Sequence, residues 1–245
     1  MRDLPGKALA QELIGASRNE ARTTPMEDVI AAARQGALGP DATHLLLGRL
    51  WALERMFYYI YGGWGQGLET NDFPPSVKYL FAKQIVDEST HEMLYMDALL
   101  KRRCVPDQKS AFTDPACAFS VNSSLAYYVF SLRNLATYPH TIRIAALNLG
   151  PKILEQAWME GLAEAAGDSG LKGAFESQAV ENRSHIAMGR RIVEEFVKKP
   201  VEAELARWAV GTARRDYCRY LREVADLVLG RPPTPPPAPR VRVMD

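Results

Sequence analysis

The chain has 245 residues, 47% hydrophobic and 24% charged, enough for one globular domain that buries roughly 70 to 75% of the surface its unfolded form exposes. Thirty Lys and Arg against 29 Asp and Glu leave a formal charge of +1, which excludes a global field able to gather nucleic acid or an acidic membrane. The uncharged stretch 56–68 holds four glycines and falls short of the ~20 residues a membrane helix requires, so no membrane span is expected.

Arg2, Asp3, Lys7 and Glu12 interrupt the apolar segment a signal peptide needs, which predicts a cytoplasmic chain. Helical periodicity runs throughout, without strand-length alternation between hairpin turns, and predicts an all-α fold. Two short helices are expected over 4–20 and 25–38, the second with Thr24 as N-cap, Pro25 at the first helical position and Glu27 following. Gly39-Pro40 ends it. A long helix over 41–61 is expected to stop at Gly62-Gly63-Trp64-Gly65-Gln66-Gly67, a cluster with neither the preceding strand nor the Lys-Ser/Thr of a phosphate loop.

A second long helix, 75–103, follows Phe73-Pro74-Pro75 and ends before Val105-Pro106. Asp114-Pro115 opens an apolar helix to 136, and Tyr138-Pro139 interrupts before a segment that includes Pro151 and runs to 166. Beyond the turn Gly167-Asp168-Ser169-Gly170 come helices over 171–199 and 201–229, separated by Pro200. Six prolines in 231–239 make an extended, solvated tail with Pro-x-x-Pro spacing. The expected organisation is therefore N-terminal helices over 1–40, a bundle over 41–229 and a tail over 230–245. Cys104, Cys117 and Cys218 are odd in number and lack a C-x-x-C pair, which excludes a disulfide framework and a thiolate zinc site.

The chemistry lies in four helices that each place a carboxylate on an apolar face. Glu54 has Leu47, Leu50, Trp51, Phe57, Tyr58 and Tyr61 as helical neighbours. Glu88 and His91, about 60° apart on the wheel, project from the stripe of Val77, Phe81, Ile85, Tyr95 and Leu99, with Asp87 and Thr90 expected outside. Glu155 lies among Leu154, Trp158, Met159 and Leu162, while Lys152, Gln156, Glu160 and Glu164 are assigned to the polar arc. Glu181 and His185, about 40° apart, share a stripe with Ala174, Met188, Ile192 and Phe196.

A lone buried carboxylate costs several kcal/mol. Two divalent metal ions would neutralise four carboxylates beside two neutral imidazoles. Glu54 and Glu88 lie on either side of the glycine cluster, and Glu155 and His185 each lie 15 residues from Gly170, so two helical hairpins are expected to deliver the ligands to one layer.

On these residues, 41–199 resembles the ferritin-like diiron carboxylate superfamily, which includes ribonucleotide reductase small subunits and bacterial multicomponent monooxygenases. The resemblance implies a ferritin-like four-helix bundle with metal ligands Glu54, Glu88, His91, Glu155 and a last pair ending at His185, and a site of two iron ions, or manganese and iron. It also places Tyr95, four residues after His91, where those small subunits carry a radical tyrosine; read from its own stripe, Tyr95 is first a core-packing residue. The implied activity is O2-dependent oxidation of a small, partly apolar organic substrate, with Trp51, Phe57, Tyr58, Tyr95 and Trp158 near the pocket and an electron-donor protein as partner. Position 182, where the family carries Glu, is Asn182, so Glu181 is expected to coordinate and Asn182 to hydrogen-bond behind it.

Two alternatives stay open. One is a peroxide-consuming dimetal protein; the other, on account of Asn182, is a metal-poor scaffold subunit of a monooxygenase complex. His44 and His140 are read as structural, and Arg183 as a residue of the polar side. A homodimer is expected, with Trp208, Val210, Tyr217, Tyr220 and Leu221 either supplying its face or covering the bundle's own core.

Overall fold

A computed structural model describes residues 6–65, 73–118 and 123–232. Among these, every regular element is a helix: α1 (Gly6–Ala21), α2 (Met26–Arg34), α3 (Pro40–Gly65), α4 (Pro75–Lys101), α5 (Gln108–Ala111), α6 (Ser124–Asn134), α7 (His140–Asn148), α8 (Pro151–Ala165), α9 (Ser169–Phe196) and α10 (Pro200–Val228), with a 3-10 turn at Leu135–Thr137. The all-α expectation holds. The tail from 233 onward and the side chain of Tyr58 lie outside the described residues. Among the described residues no helix is long and apolar enough to cross a membrane.

Two long pairs make the frame: α3 packs along α4 and α8 along α9, and α4 lies against α9. The contact stripes are the apolar faces read from the sequence, with Leu47, Leu50, Trp51 and Phe57 of α3, Val77, Phe81 and Leu99 of α4, Leu154, Trp158 and Met159 of α8, and Met188 and Ile192 of α9 all buried. α1 and α2 cover α8, and α10 closes the other side against α3, α6 and α7. Val210, Tyr217, Tyr220 and Leu221 are spent on this internal closure, each at 1% exposure or less, which leaves only Trp208, at 47%, of the residues considered for a dimer face.

Several boundaries differ from the sequence reading. α3 runs on through Gly62 and Gly63 to Gly65; each glycine costs a helix about 1 kcal/mol, a weak preference that packing overrides. Asp114-Pro115 opens a turn instead of a helix, because Asp114 Oδ1 accepts Ala116 N at 2.9 Å and its carbonyl accepts Cys117 N and Ala118 N. Gly48 of α3 lies so close to this turn that a Cβ there would meet the Ala116 carbonyl at 2.8 Å. α6 begins only at Ser124, capped by the Ser123 hydroxyl on Ala126 N.

Thr24 does not cap α2 through its side chain, since Pro25 is already helical and only the Thr24 carbonyl bonds to Glu27 N. The segment through Pro151 is two helices, α7 and α8, broken at Gly150, whose φ −107 and ψ −97 and approach to the Ala146 and Val210 carbonyls suit glycine, and Pro151 takes the first helical position of α8.

Candidate metal centre

The frame brings polar side chains from four helices into its dry interior. From α3 comes Glu54, at 0% exposure between the turns of Leu50, Trp51 and Phe57; from α4 come Glu88 and His91, each at 1%. One ligand atom from each of these three residues lies within 4.8 Å of the others, a spacing that can hold a metal ion. His91 Nδ1 is 3.4 Å from Glu88 Oε2 and 3.7 Å from Glu54 Oε2. α8 contributes Glu155, and α9 contributes Gln178, Asn182 and His185, all buried. His185 turns Nδ1 to Glu88 Oε1 at 3.7 Å, so Glu88 stands between the two imidazoles.

Each imidazole is held from behind. His185 Nε2 is 3.0 Å from Asp87 Oδ2, and His91 Nε2 is 2.5 Å from Glu181 Oε2. A carboxylate on the outer ring nitrogen fixes orientation and tautomer and raises the basicity of the inner nitrogen, as is usual for metal-ligating histidine. Glu181 therefore meets the site through His91 and leaves its side chain 24% exposed, while Asn182 is fully buried with neither amide atom hydrogen-bonded. The wheel ranked these two the other way round. Asp87, expected outside, is 5% exposed because its carboxylate bridges His185 and Lys83; Thr90 is exposed as expected.

The largest departure is Lys152. It belongs to the polar arc by charge, yet it is fully buried: Nζ donates to Glu88 Oε2 at 2.8 Å, lies 2.8 Å from Glu155 Oε2 and sits 4.5 Å from the centre of the Phe57 ring. The assignment to the polar arc is thereby corrected: only about 60° from Glu155 on the wheel, Lys152 reaches inward because two carboxylates meet its charge.

Gln178, two turns before His185, also went unread. Its Nε2 donates to Glu54 Oε1 at 2.7 Å and to Glu155 Oε1, and its Oε1 accepts the Tyr95 hydroxyl. One turn before Glu88, Gln84 and Asn148 exchange two amide hydrogen bonds and lock α4 to α7.

In the metal-free protein the charges sort unevenly. Burial, with Glu88 and Glu155 nearby, pushes Glu54 well above the usual carboxylate range. Burial acts on Glu88 too, but Lys152 and the two histidines outweigh it and hold Glu88 well below that range. Against its own burial, His91 is pushed up to about 12 by Glu181, Glu54 and Glu88. Lys152 is raised in the same way by Glu155 and Glu88, and Tyr95 is raised by burial and by the carboxylates.

The remaining candidates are structural. His44 Nε2 is 3.1 Å from Asp114 Oδ1 beside Cys117, a group spaced for a metal, but Asp114 is committed to its turn and burial pushes the Cys117 thiol up to about 12, so it stays protonated. His140 packs edge-on against Phe73, and Arg183 binds Glu160 at the surface. Trp51, Phe57, Tyr95 and Trp158 are all buried at 2% exposure or less, packing around the centre. Among the described residues, a cavity of about 350 Å³ lined by Leu38, Leu46, Leu162, Leu171 and Phe175, with Arg102 and Asp168 also on its wall, approaches this region, and the Phe175 ring is tilted with its centre 6.3 Å from that of Tyr95. No protein-family model matches the chain, and no curated protein or solved structure matches it either.

Proposed function

We propose that this chain is a ferritin-like, redox-metal oxidase or oxygenase that uses O2 to oxidise a small, partly apolar organic molecule. The observation that carries the reading is the convergence of Glu54, Glu88 and His91 in the buried interior, within reach of a single ion. The donors fit iron or manganese, being carboxylate oxygens and imidazole nitrogens without a thiolate. Within the centre, Glu54 Oε2, Glu155 Oε2, His185 Nδ1 and both amide atoms of Asn182 are buried without a hydrogen-bond partner. Buried polar atoms are almost always satisfied, so such orphans mark a place where a ligand is accommodated.

Bound iron or manganese would supply the one-electron redox chemistry and O2 affinity that no amino-acid side chain offers. The chain's own residues do the rest. Asp87 and Glu181 keep the inner nitrogens of His185 and His91 aimed at the pocket. Gln178 fixes Glu54 and Glu155 side by side and holds the Tyr95 proton on its phenol oxygen. Burial and three carboxylates hold the Tyr95 phenol above its usual range, so it keeps that proton at neutral pH. Phe175 separates Tyr95 from the apolar cavity, which is the substrate's place in this reading.

A metal-poor scaffold is the second reading, and Lys152 favours it by neutralising part of the site without an ion. Anaerobic loading with Fe(II), removal of free metal and elemental analysis separate the two, followed by O2 uptake in an oxygen electrode. Retained iron and O2 uptake that disappear in Glu54→Ala and His91→Ala are the expected results. Protein that retains no metal, or variants that retain all of it, would overturn the proposal.

A further inference from the structure

The two halves of the centre repeat one pattern. α4 reads Asp87-Glu88-x-x-His91 and α9 reads Glu181-Asn182-x-x-His185. Each leading carboxylate holds the histidine of the opposite helix, Asp87 on His185 and Glu181 on His91. Glu54 and Glu155 are paired through one amide, that of Gln178.

The repeat breaks twice, both times on the α8–α9 side. Asn182 stands where its counterpart on α4 is Glu88, and Lys152, one turn before Glu155, stands where the residue one turn before Glu54 is Trp51. The first change removes a negative charge and the second adds a positive one. Together they equal the charge of one divalent ion. A fully repeated centre would hold four inner carboxylates, matched by two divalent ions; this one holds Glu54, Glu88, Glu155 and an ammonium, and the two negative charges left over match one ion.

We infer that the centre takes a single divalent metal ion, at Glu54, Glu88 and His91, and that Lys152 together with Asn182 permanently replaces the second. The inference rests on the metal-dependent reading above and specifies its stoichiometry. Lys152 Nζ touches Glu88 and Glu155, two carboxylates that could otherwise hold a second ion, at 2.8 Å each, and its side chain has no exposure through which to leave. Asn182, buried on α9, offers only a neutral oxygen, a poor exchange for a carboxylate. The site of the second ion is thereby filled by a side chain that needs no loading and undergoes no redox change.

The test is metal content of the full chain, loaded anaerobically with Fe(II) and desalted. Wild type should retain about one equivalent, and the double variant Lys152→Met/Asn182→Glu about two. Two equivalents in wild type, or one in a folded double variant, overturn the inference and leave the metal-dependent function standing; none in wild type overturns that function itself. Should the double variant not fold, single variants decide: His91→Ala should lose the ion and His185→Ala should keep it, and loss of metal in His185→Ala counts against the inference. Crystals soaked in Mn(II) give a readout of position, with one anomalous peak expected beside His91; a second beside His185 would refute the assignment.

Discussion

Replacing Lys152 by methionine in the metal-free protein removes a charge while leaving most of the stem. Nζ lies 2.8 Å from an oxygen of Glu88 and from one of Glu155, and at an effective dielectric of about 20 each contact carries about 6 kcal/mol of Coulomb energy. Dehydration of the three ions consumes much of this, and truncating one partner of a buried pair costs about 3–5 kcal/mol. Proton uptake limits the loss: a carboxyl group with an ordinary value of 4.5, such as Glu88, is protonated at pH 7 for about 3.4 kcal/mol. The expected deficit is therefore about 3–4 kcal/mol at pH 7, or a melting temperature lower by about 6–16 °C for a chain of this length.

Its pH dependence has a definite sign. Wild-type Glu88 is held below its ordinary value, so the stability it contributes is present above 4.5 and is lost as pH falls through its folded value. At pH 5 wild type keeps that contribution, while the variant's carboxyl takes up its proton for only about 0.7 kcal/mol, so the deficit of Lys152→Met should shrink to about that figure. Urea denaturation in chelator at both pH values, followed by circular dichroism, measures it. Lys172, 51% exposed and 3.8 Å from Glu176, serves as the control, and Lys172→Met should stay within about 0.5 kcal/mol of wild type. A Lys152→Met protein within about 1 kcal/mol of wild type at pH 7 would refute the assignment of Lys152 as the neutralising cation.

Glu181→Ala should weaken metal binding about 10- to 100-fold in a calorimetric titration, because His91 loses the carboxylate that aims it; unchanged affinity would remove Glu181 from the centre. His91, raised to about 12, carries a proton at pH 7 that ligation must displace, so affinity should rise with pH and binding should release protons. Titration in buffers of different ionisation heat reads this directly, and a buffer-independent enthalpy would contradict it. Gln178→Leu leaves the buried Tyr95 hydroxyl and two carboxylates without their shared partner and should cost about 1–3 kcal/mol in urea unfolding, a neutral change being the opposing result. Gly48→Ala drives a methyl group into the Ala116 backbone and should cost about 1–3 kcal/mol; full stability would mean that α3 and the 114–118 turn stand further apart.

The sequence by itself determined the helical class, the two long hairpin pairs and the inward direction of Glu54, Glu88, His91, Glu155 and His185. Each follows from a periodicity of 3.6, which is local and needs no partner to be read. What the tertiary structure decided is where polar groups on the flanks of those stripes go. Lys152 and Asp87 read as polar-side residues and Gln178 stood out by no pattern, because a charged or amide side chain is buried only if another helix brings it a partner. Glu88 and Glu155 do so for Lys152, His185 for Asp87, and Tyr95 with two carboxylates for Gln178. The ranking of Glu181 and Asn182 depended in the same way on α4, since only the approach of His91 from the neighbouring helix gives Glu181 its place. Charge pairing between helices is a property of their packing, and no single helix's pattern contains it.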